Sequence, residues 1–206
     1  SPAPKDQAIT STPDSSGQPA GSPETLAEWA VKYAATGLEV FPVDPTDKSP
    51  IGALAHNGMK SATTDPDTIR RWWTARPNAS IGCRIPDDLI VFDIDPRNGG
   101  ETCWTEINGG HDLPATRTHR SGREDGGRHV WFRRPDDLDK TTEKRLTGVD
   151  VLHHNSRYTI LPPSVHAVTG NRYRWADVTE PAPLPAHLAA LITKAPPAPV
   201  SAPVLS

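Results

Sequence analysis

Cysteine is scarce. The 206 residues hold only Cys83 and Cys103, which form no CxxC pair and no disulfide framework, and a reduced, cytoplasmic protein fits that usage best. No zinc-type cysteine cluster exists either. Cys103 and His111 could be forced into one, but a buried thiol accounts for Cys103 better. An excess of positive charge is missing too. With 22 Lys and Arg against 25 Asp and Glu, the net charge is −3, so the chain is no generic basic coat for nucleic acid and any such contact must come from a local patch. There is no apolar run of transmembrane length and no signal-like N-terminal segment, so no membrane association is expected. No internal repeat is found.

Large apolar residues are lacking at both ends. Residues 1–21 and 195–206 are rich in Pro, Ala and Ser; they read as a disordered linker or tail and a Pro/Ala-rich linker. Residues 22–194 remain as one folded domain of two lobes, large enough to bury a core.

Within that stretch the periodicities predict an α+β fold, with helices concentrated early and antiparallel strands late. Ser22-Pro23-Glu24 reads as a helix start, and Leu26, Trp29, Ala30, Tyr33 and Ala34 follow helical spacing up to a stop at Gly37. Strands are expected at 38–43, 79–84 and 88–94, with a loop presenting Lys48 and a helix over 63–77 capped by Thr64 or Asp65. A short helix near 100–108 precedes a hairpin with arms 115–121 and 128–134 around the REDGG turn. Strands at 148–153, 157–161 and 172–175 and a helix at 184–194 complete the expectation.

The chemistry concentrates in a few places. In LIVFDIDPRNGG, Asp93 and Asp95 stand two apart on a strand, hence on one face, while Phe92 and Ile94 point the other way. Two adjacent carboxylates repel unless a cation joins them or one is protonated, and hard oxygen ligands at this spacing suit Mg²⁺ or Mn²⁺. A plainer reading makes Asp95 the cap of the turn at Pro96. His129 in GGRHVWF and Asp150 in GVDV occupy comparable places on strands, and either alone reads equally well as structural. Residues 116–134 carry six arginines against two acids; forked guanidiniums suit phosphate oxygens, though a solvated charged hairpin has the same composition.

The order of these elements carries a resemblance. GLEVFPV, KSP, SATTDPDTIRRWW, IVFDIDPRNGG, LPATRT, GGRHVWF, GVDV, YTILPPSVH and NRYRW together make the sequence similar to the bifunctional DNA primase/polymerase (Prim-Pol) domain of the archaeo-eukaryotic primase superfamily. The resemblance implies an RRM-like antiparallel sheet as catalytic core, packed with a smaller N-terminal α/β lobe. It implies that Asp93, Asp95 and Asp150 bind a divalent metal, Mg²⁺ or Mn²⁺, and that His129 contacts the phosphates of an incoming nucleotide. These four are the expected catalytic residues. Lys48, Ser164, His166, Arg128 and Arg157 are expected around the nucleotide, and Arg117, Arg120, Arg123 and Arg133 along nucleic acid. The chain departs from the family pattern in its longer charged turn, HRSGREDGGRH, and in VLHHNSRY after Asp150, where relatives carry an arginine and glycines.

The expected activity is metal-dependent, template-directed nucleotidyl transfer from dNTPs or NTPs on single-stranded or primed DNA, in plasmid, phage or mobile-element replication. A helicase or helix-bundle module is expected beyond the C-terminal linker. Two other classes stay open: a non-catalytic replication-initiator domain of the same fold, and another two-metal enzyme such as a nuclease or a DxD-type glycosyltransferase.

Overall fold

The computed structural model describes residues 24–136, 138 and 146–192; the stretches read above as linkers lie outside the described residues, as do Ser22 and Pro23. Mixed α/β architecture with antiparallel sheets is observed. The first helix, α1 (Leu26–Ala35), starts later than the Ser-Pro pair suggested. Its N-cap is Thr25, whose side chain accepts from the Glu28 amide while the Glu28 carboxylate takes the Thr25 amide. The Thr25-Leu26-Ala27-Glu28 spacing is the capping-box signature, and a reciprocal cap satisfying two amides outweighs a lone serine further upstream. The second helix, α2 (Pro66–Ala75), is capped by Asp65 with Pro66 in its first turn, and it buries Ile69, Trp72 and Trp73.

Two sheets follow. Strands β1 (Val40–Val43), β2 (Ser80–Arg84) and β7 (Tyr158–Leu161) form an antiparallel sheet in the order β1-β2-β7. The larger sheet runs β6-β3-β5-β4-β8, built from β3 (Leu89–Ile94), β4 (Thr118–Arg120), β5 (Arg128–Arg133), β6 (Val149–Leu152) and β8 (Arg174–Asp177). The short β9 (Ala182–Pro183) joins β5 in parallel, and helices α3 (Gly100–Ile107) and α4 (Ala186–Ile192) complete the elements. The smaller lobe is therefore not purely N-terminal. Its third strand, β7, comes from late in the chain and pairs with β2, a long-range pairing that local periodicity does not encode.

Alternation along β3 divides the core. Ile90, Phe92 and Ile94 pack with Val130, Phe132, Trp104 of α3 and Leu188 and Ile192 of α4. Val91, Trp131 and Leu152 face the other way and join the cluster of α1, α2 and the small sheet, including Phe41, Trp73, Ile81 and Leu161. Both faces of the central strand are thus buried over most of its length. Each fully buried large side chain contributes roughly 1.5–3 kcal/mol, and the two lobes share an apolar seam in which a few polar residues, His119, His129 and Thr159 among them, are also buried.

Candidate functional site

At one end of that seam the register sets up a row. Asp93 of β3 is opposite His129 of β5 on one side and opposite Asp150 of β6 on the other. His119 of β4 is opposite His129, and Trp175 of β8 is opposite His119. Side chains opposite one another in paired strands share a face, so Asp150, Asp93, His129, His119 and Trp175 line one rung on the face turned toward the small sheet. Alternation explains their exit together: Val91 and Trp131, two residues earlier or later on their strands, fill the interior, and the rung stands where that interior ends.

A cavity of about 420 Å³ opens there, lined by Asp93, Asp95, His129, Lys48, Arg123, Arg157, Tyr158, Thr159 and Tyr173 among others. His129 Nε2 lies 3.0 Å from Asp93 Oδ1. Burial, the largest influence on Asp93, raises its pKa, but His129, Arg123 and Lys48 together overcome it and hold the carboxyl below the usual aspartate value. Asp95 follows the same pattern: burial raises it, yet Arg123, Arg97 and Asn98 leave it lowered. Arg123 Nη2 is 2.8 Å from Asp95 Oδ1. Asp95 also caps the turn Pro96–Asn98 by accepting from the Arg97 amide at 3.1 Å, so the plain capping reading of this residue is realised alongside its place in the cavity. Arg157 pairs with the exposed Asp150 at 3.3 Å.

The remaining expected residues divide sharply. Lys48 sits at φ 61, an uncommon value outside glycine, its carbonyl accepting from Tyr158 Oη at 2.5 Å. Burial within the cavity, then the neighbouring Arg123, lowers its ammonium pKa. Ser164 is fully buried, its hydroxyl accepting from the Ile81 amide at 2.9 Å, and it does not line the cavity. His166 is buried behind the same loops, with Thr169 at its Nδ1; burial and then Lys48, Arg123 and Arg97 lower its pKa. Arg117 and Arg133 belong to a separate cavity of about 540 Å³ at the other end of the seam, with Tyr33, Leu89 and Trp175, where Arg117 pairs with Glu180.

Arg120 and Arg128 point away from the row. They are opposite each other, and Arg120 is also opposite Arg174, one residue along from His119 and His129 and hence on the reverse face. Arg128 grips Glu101 of α3 with both guanidinium nitrogens, while Arg120 and Arg174 are exposed. Like charges placed directly opposite are destabilising, and three arginines in one rung suit a polyanion.

Two residues escaped the sequence reading. His119 is fully buried in the row, and burial together with His129 holds its pKa well below the usual histidine value, so it is neutral. Thr159, from β7 of the other sheet, is also buried and touches both His119 and His129. Nothing local marks either one, because their meeting depends on two sheets packing together.

Among the described residues no three His, Cys, Asp or Glu side chains gather into a set that could hold a metal ion. The donors nevertheless fit a hard divalent cation in kind: Asp93 and Asp150 are opposite each other on adjacent strands, Asp95 follows directly after β3, and each carboxylate is turned onto Arg123, Arg157 or His129. Nor is any described helix long and apolar enough to cross a membrane. A search among curated proteins finds no match to the chain. The sequence model of the family described as bifunctional DNA primase/polymerase, N-terminal, matches residues 30–187.

Proposed function

Because the chain belongs to the bifunctional DNA primase/polymerase N-terminal family, we propose that the cavity at Asp93 and His129 is where a nucleoside triphosphate is joined to a DNA chain. The observation carrying this reading is the rung Asp150–Asp93–His129, running across adjacent strands into a cavity ringed by Lys48, Arg123 and Arg157. The larger sheet, with helices on its reverse face, is read as the RRM-like core, and residues 22–194 as the catalytic domain between two linkers. Plasmid, phage or mobile-element replication and a C-terminal helicase or helix-bundle module belong to the same reading.

The transfer forms a bond from a primer 3′ oxygen to the α-phosphorus and breaks the bond to the bridging oxygen of the β-phosphate, releasing pyrophosphate. Asp93, Asp95 and Asp150 would hold Mg²⁺ or Mn²⁺, which when bound supplies Lewis-acid stabilisation of the attacking and leaving oxygens. The chain's own part is positioning and charge balance. His129, whose Nε2 lies beside Asp93 Oδ1, would meet a phosphate oxygen once Asp93 engaged the metal. Lys48 as a point charge and Arg123 and Arg157 as forked donors would neutralise the triphosphate. Ser164 and His166 would support the loops behind it. Arg120, joined by Arg174, would guide the template over the rim of the sheet, while Arg117 and Arg133 would meet nucleic acid at the far end of the seam; Arg128, expected at the nucleotide, lies on the reverse face against Glu101 and is given no part there.

The test is incorporation of labelled nucleotide on primed and unprimed single-stranded templates, with Mg²⁺ or Mn²⁺ and either nucleotide class. Asp93→Asn and Asp150→Asn are each expected to lose at least about a hundredfold in rate with unchanged circular dichroism. Full activity in both would overturn the assignment. A wild-type protein that binds DNA without incorporating nucleotide would instead make this an initiator-type binding domain.

A further inference from the structure

We propose that His119 and Thr159 are positioning residues for His129, fixing its tautomer and ring orientation through a directed chain of hydrogen bonds. The direction follows from donor chemistry. The Trp131 indole nitrogen can only donate, and it lies 3.1 Å from His119 Nδ1. His119 Nδ1 is therefore an acceptor, so its single ring proton is on Nε2. That nitrogen can only donate, and it faces Thr159 Oγ1 at 3.3 Å with the Ile160 backbone carbonyl beside it. The Thr159 hydroxyl has one proton of its own, and its other side-chain contact is His129 Nδ1. With the hydroxyl donating there, His129 Nδ1 is the acceptor and its proton is on Nε2, the nitrogen 3.0 Å from Asp93 Oδ1. Every proton in the chain then meets an acceptor.

The opposite arrangement, with His129 donating from Nδ1, leaves the Thr159 proton without a side-chain acceptor among the described residues, in a side chain only 1% exposed. An unmatched buried donor costs more than a hydrogen bond gains. The ring is fixed as well as the proton. His119 and His129 meet edge to face with centroids 4.4 Å apart, and Trp131 is fully buried. The anchor comes from both sheets, since Thr159 belongs to β7 and the other three to β4 and β5. A change in how the lobes pack would thus be felt at His129, the group read above as the phosphate contact.

This inference rests on the proposed function only for its consequence, not for its geometry. Nitrogen-15 NMR on the free protein reads the tautomers directly, with His119→Gln and His129→Asn used to assign signals. The expected result is a proton on Nε2 and none on Nδ1 for both histidines. Protonated Nδ1 on His129 in the wild type would overturn the proposal without any variant. Thr159→Val is expected to populate the Nδ1–H form of His129 and weaken dNTP binding, measured calorimetrically, by about three- to tenfold. Thr159→Ser should restore both. An unaltered tautomer and unaltered affinity in Thr159→Val would also overturn it. Tautomers as assigned in a protein that incorporates no nucleotide would refute the reading of the cavity and leave the hydrogen-bond chain standing.

Discussion

Replacing Gly148 by alanine probes how the carboxylates are held together. Gly148 has φ +65 and lies just before β6, and its carbonyl accepts from the Asp95 amide at 2.8 Å. A Cβ added there would lie 2.4 Å from the Gly100 nitrogen and 2.6 Å from the Asn98 carbonyl oxygen. Those neighbours are backbone, so they yield only if the turn after β3 moves by about an ångström. The left-handed conformation costs a residue with a Cβ about 1–2 kcal/mol, and overpacking adds about 1–3 kcal/mol. Gly148→Ala should therefore destabilise by about 2–5 kcal/mol, a fall in melting temperature of about 5–15 °C for a domain of this size.

Gly110 is the matched control, with φ +80 and nothing within 4 Å of an added Cβ. Gly110→Ala should show the conformational cost alone, about 1–2 kcal/mol. Urea unfolding of both variants, followed by circular dichroism, isolates the contact between the Asp95 turn and the strand of Asp150. Equal destabilisation within about 0.5 kcal/mol would refute the idea that this close approach sets their spacing.

Stability should also fall on acidification in two stages. His119 is held below its ordinary value of 6.5 in the fold, so its contribution is complete above about 6.5 and declines below it, at up to about 1.4 kcal/mol per pH unit. Asp93 and Asp95 are lowered from 3.8, so theirs is present above about 3.8 and lost as pH falls through their folded values; urea midpoints unchanged from pH 7.5 to 4.5 would contradict the first stage. Arg120→Ala and Arg174→Ala should each reduce the slope of log affinity against log salt for single-stranded DNA by about 0.7, and unchanged slopes would remove the exposed rung from the template path. Cys83 is fully buried, which pushes its thiol pKa up, whereas Cys103 is half-buried. Native protein should accordingly be labelled by a thiol reagent at Cys103 alone, with Cys83 reacting only in denaturant.

Period-2 alternation located β3, β5 and β6 and put Asp93, His129 and Asp150 on the face opposite Phe92, Val130 and Val149, because strand geometry converts spacing into direction; that the small sheet covers part of that face is tertiary information the spacing does not hold. Which strands would lie side by side is a different quantity. The row across β6-β3-β5-β4-β8 depends on the sheet order, for which no local pattern gives a signal. The arginines show the cost of reading a segment by composition. Six of them fall within 116–134, yet the fold sends Arg123 into the cavity, Arg120 and Arg128 to the reverse face, and Arg117 and Arg133 to the far end of the seam. His119 and Thr159 were invisible because each looks like an ordinary strand residue until two sheets are packed together.

The charges around the cavity explain how two carboxylates coexist in its half-buried lining, with a third, Asp150, exposed beside them. Asp95 has Arg123, Asp150 has Arg157, and Asp93 has His129 Nε2 with Lys48 nearby. A carboxylate left without a partner in such a setting would take up a proton rather than remain charged, but Asp93 and Asp95 are both held toward ionisation. On the proposed reading, taking up a metal and a triphosphate is thus an exchange of ion pairs. The carboxylates would release Arg123 and Arg157, whose guanidiniums would then be free to meet phosphate oxygens. On the same reading the charged turn HRSGREDGGRH would take part in that exchange, since it contributes Arg123, and Asp125 lies 3.2 Å from the same guanidinium. Asp125 would then give Arg123 a second carboxylate to rest on once Asp95 engaged a metal.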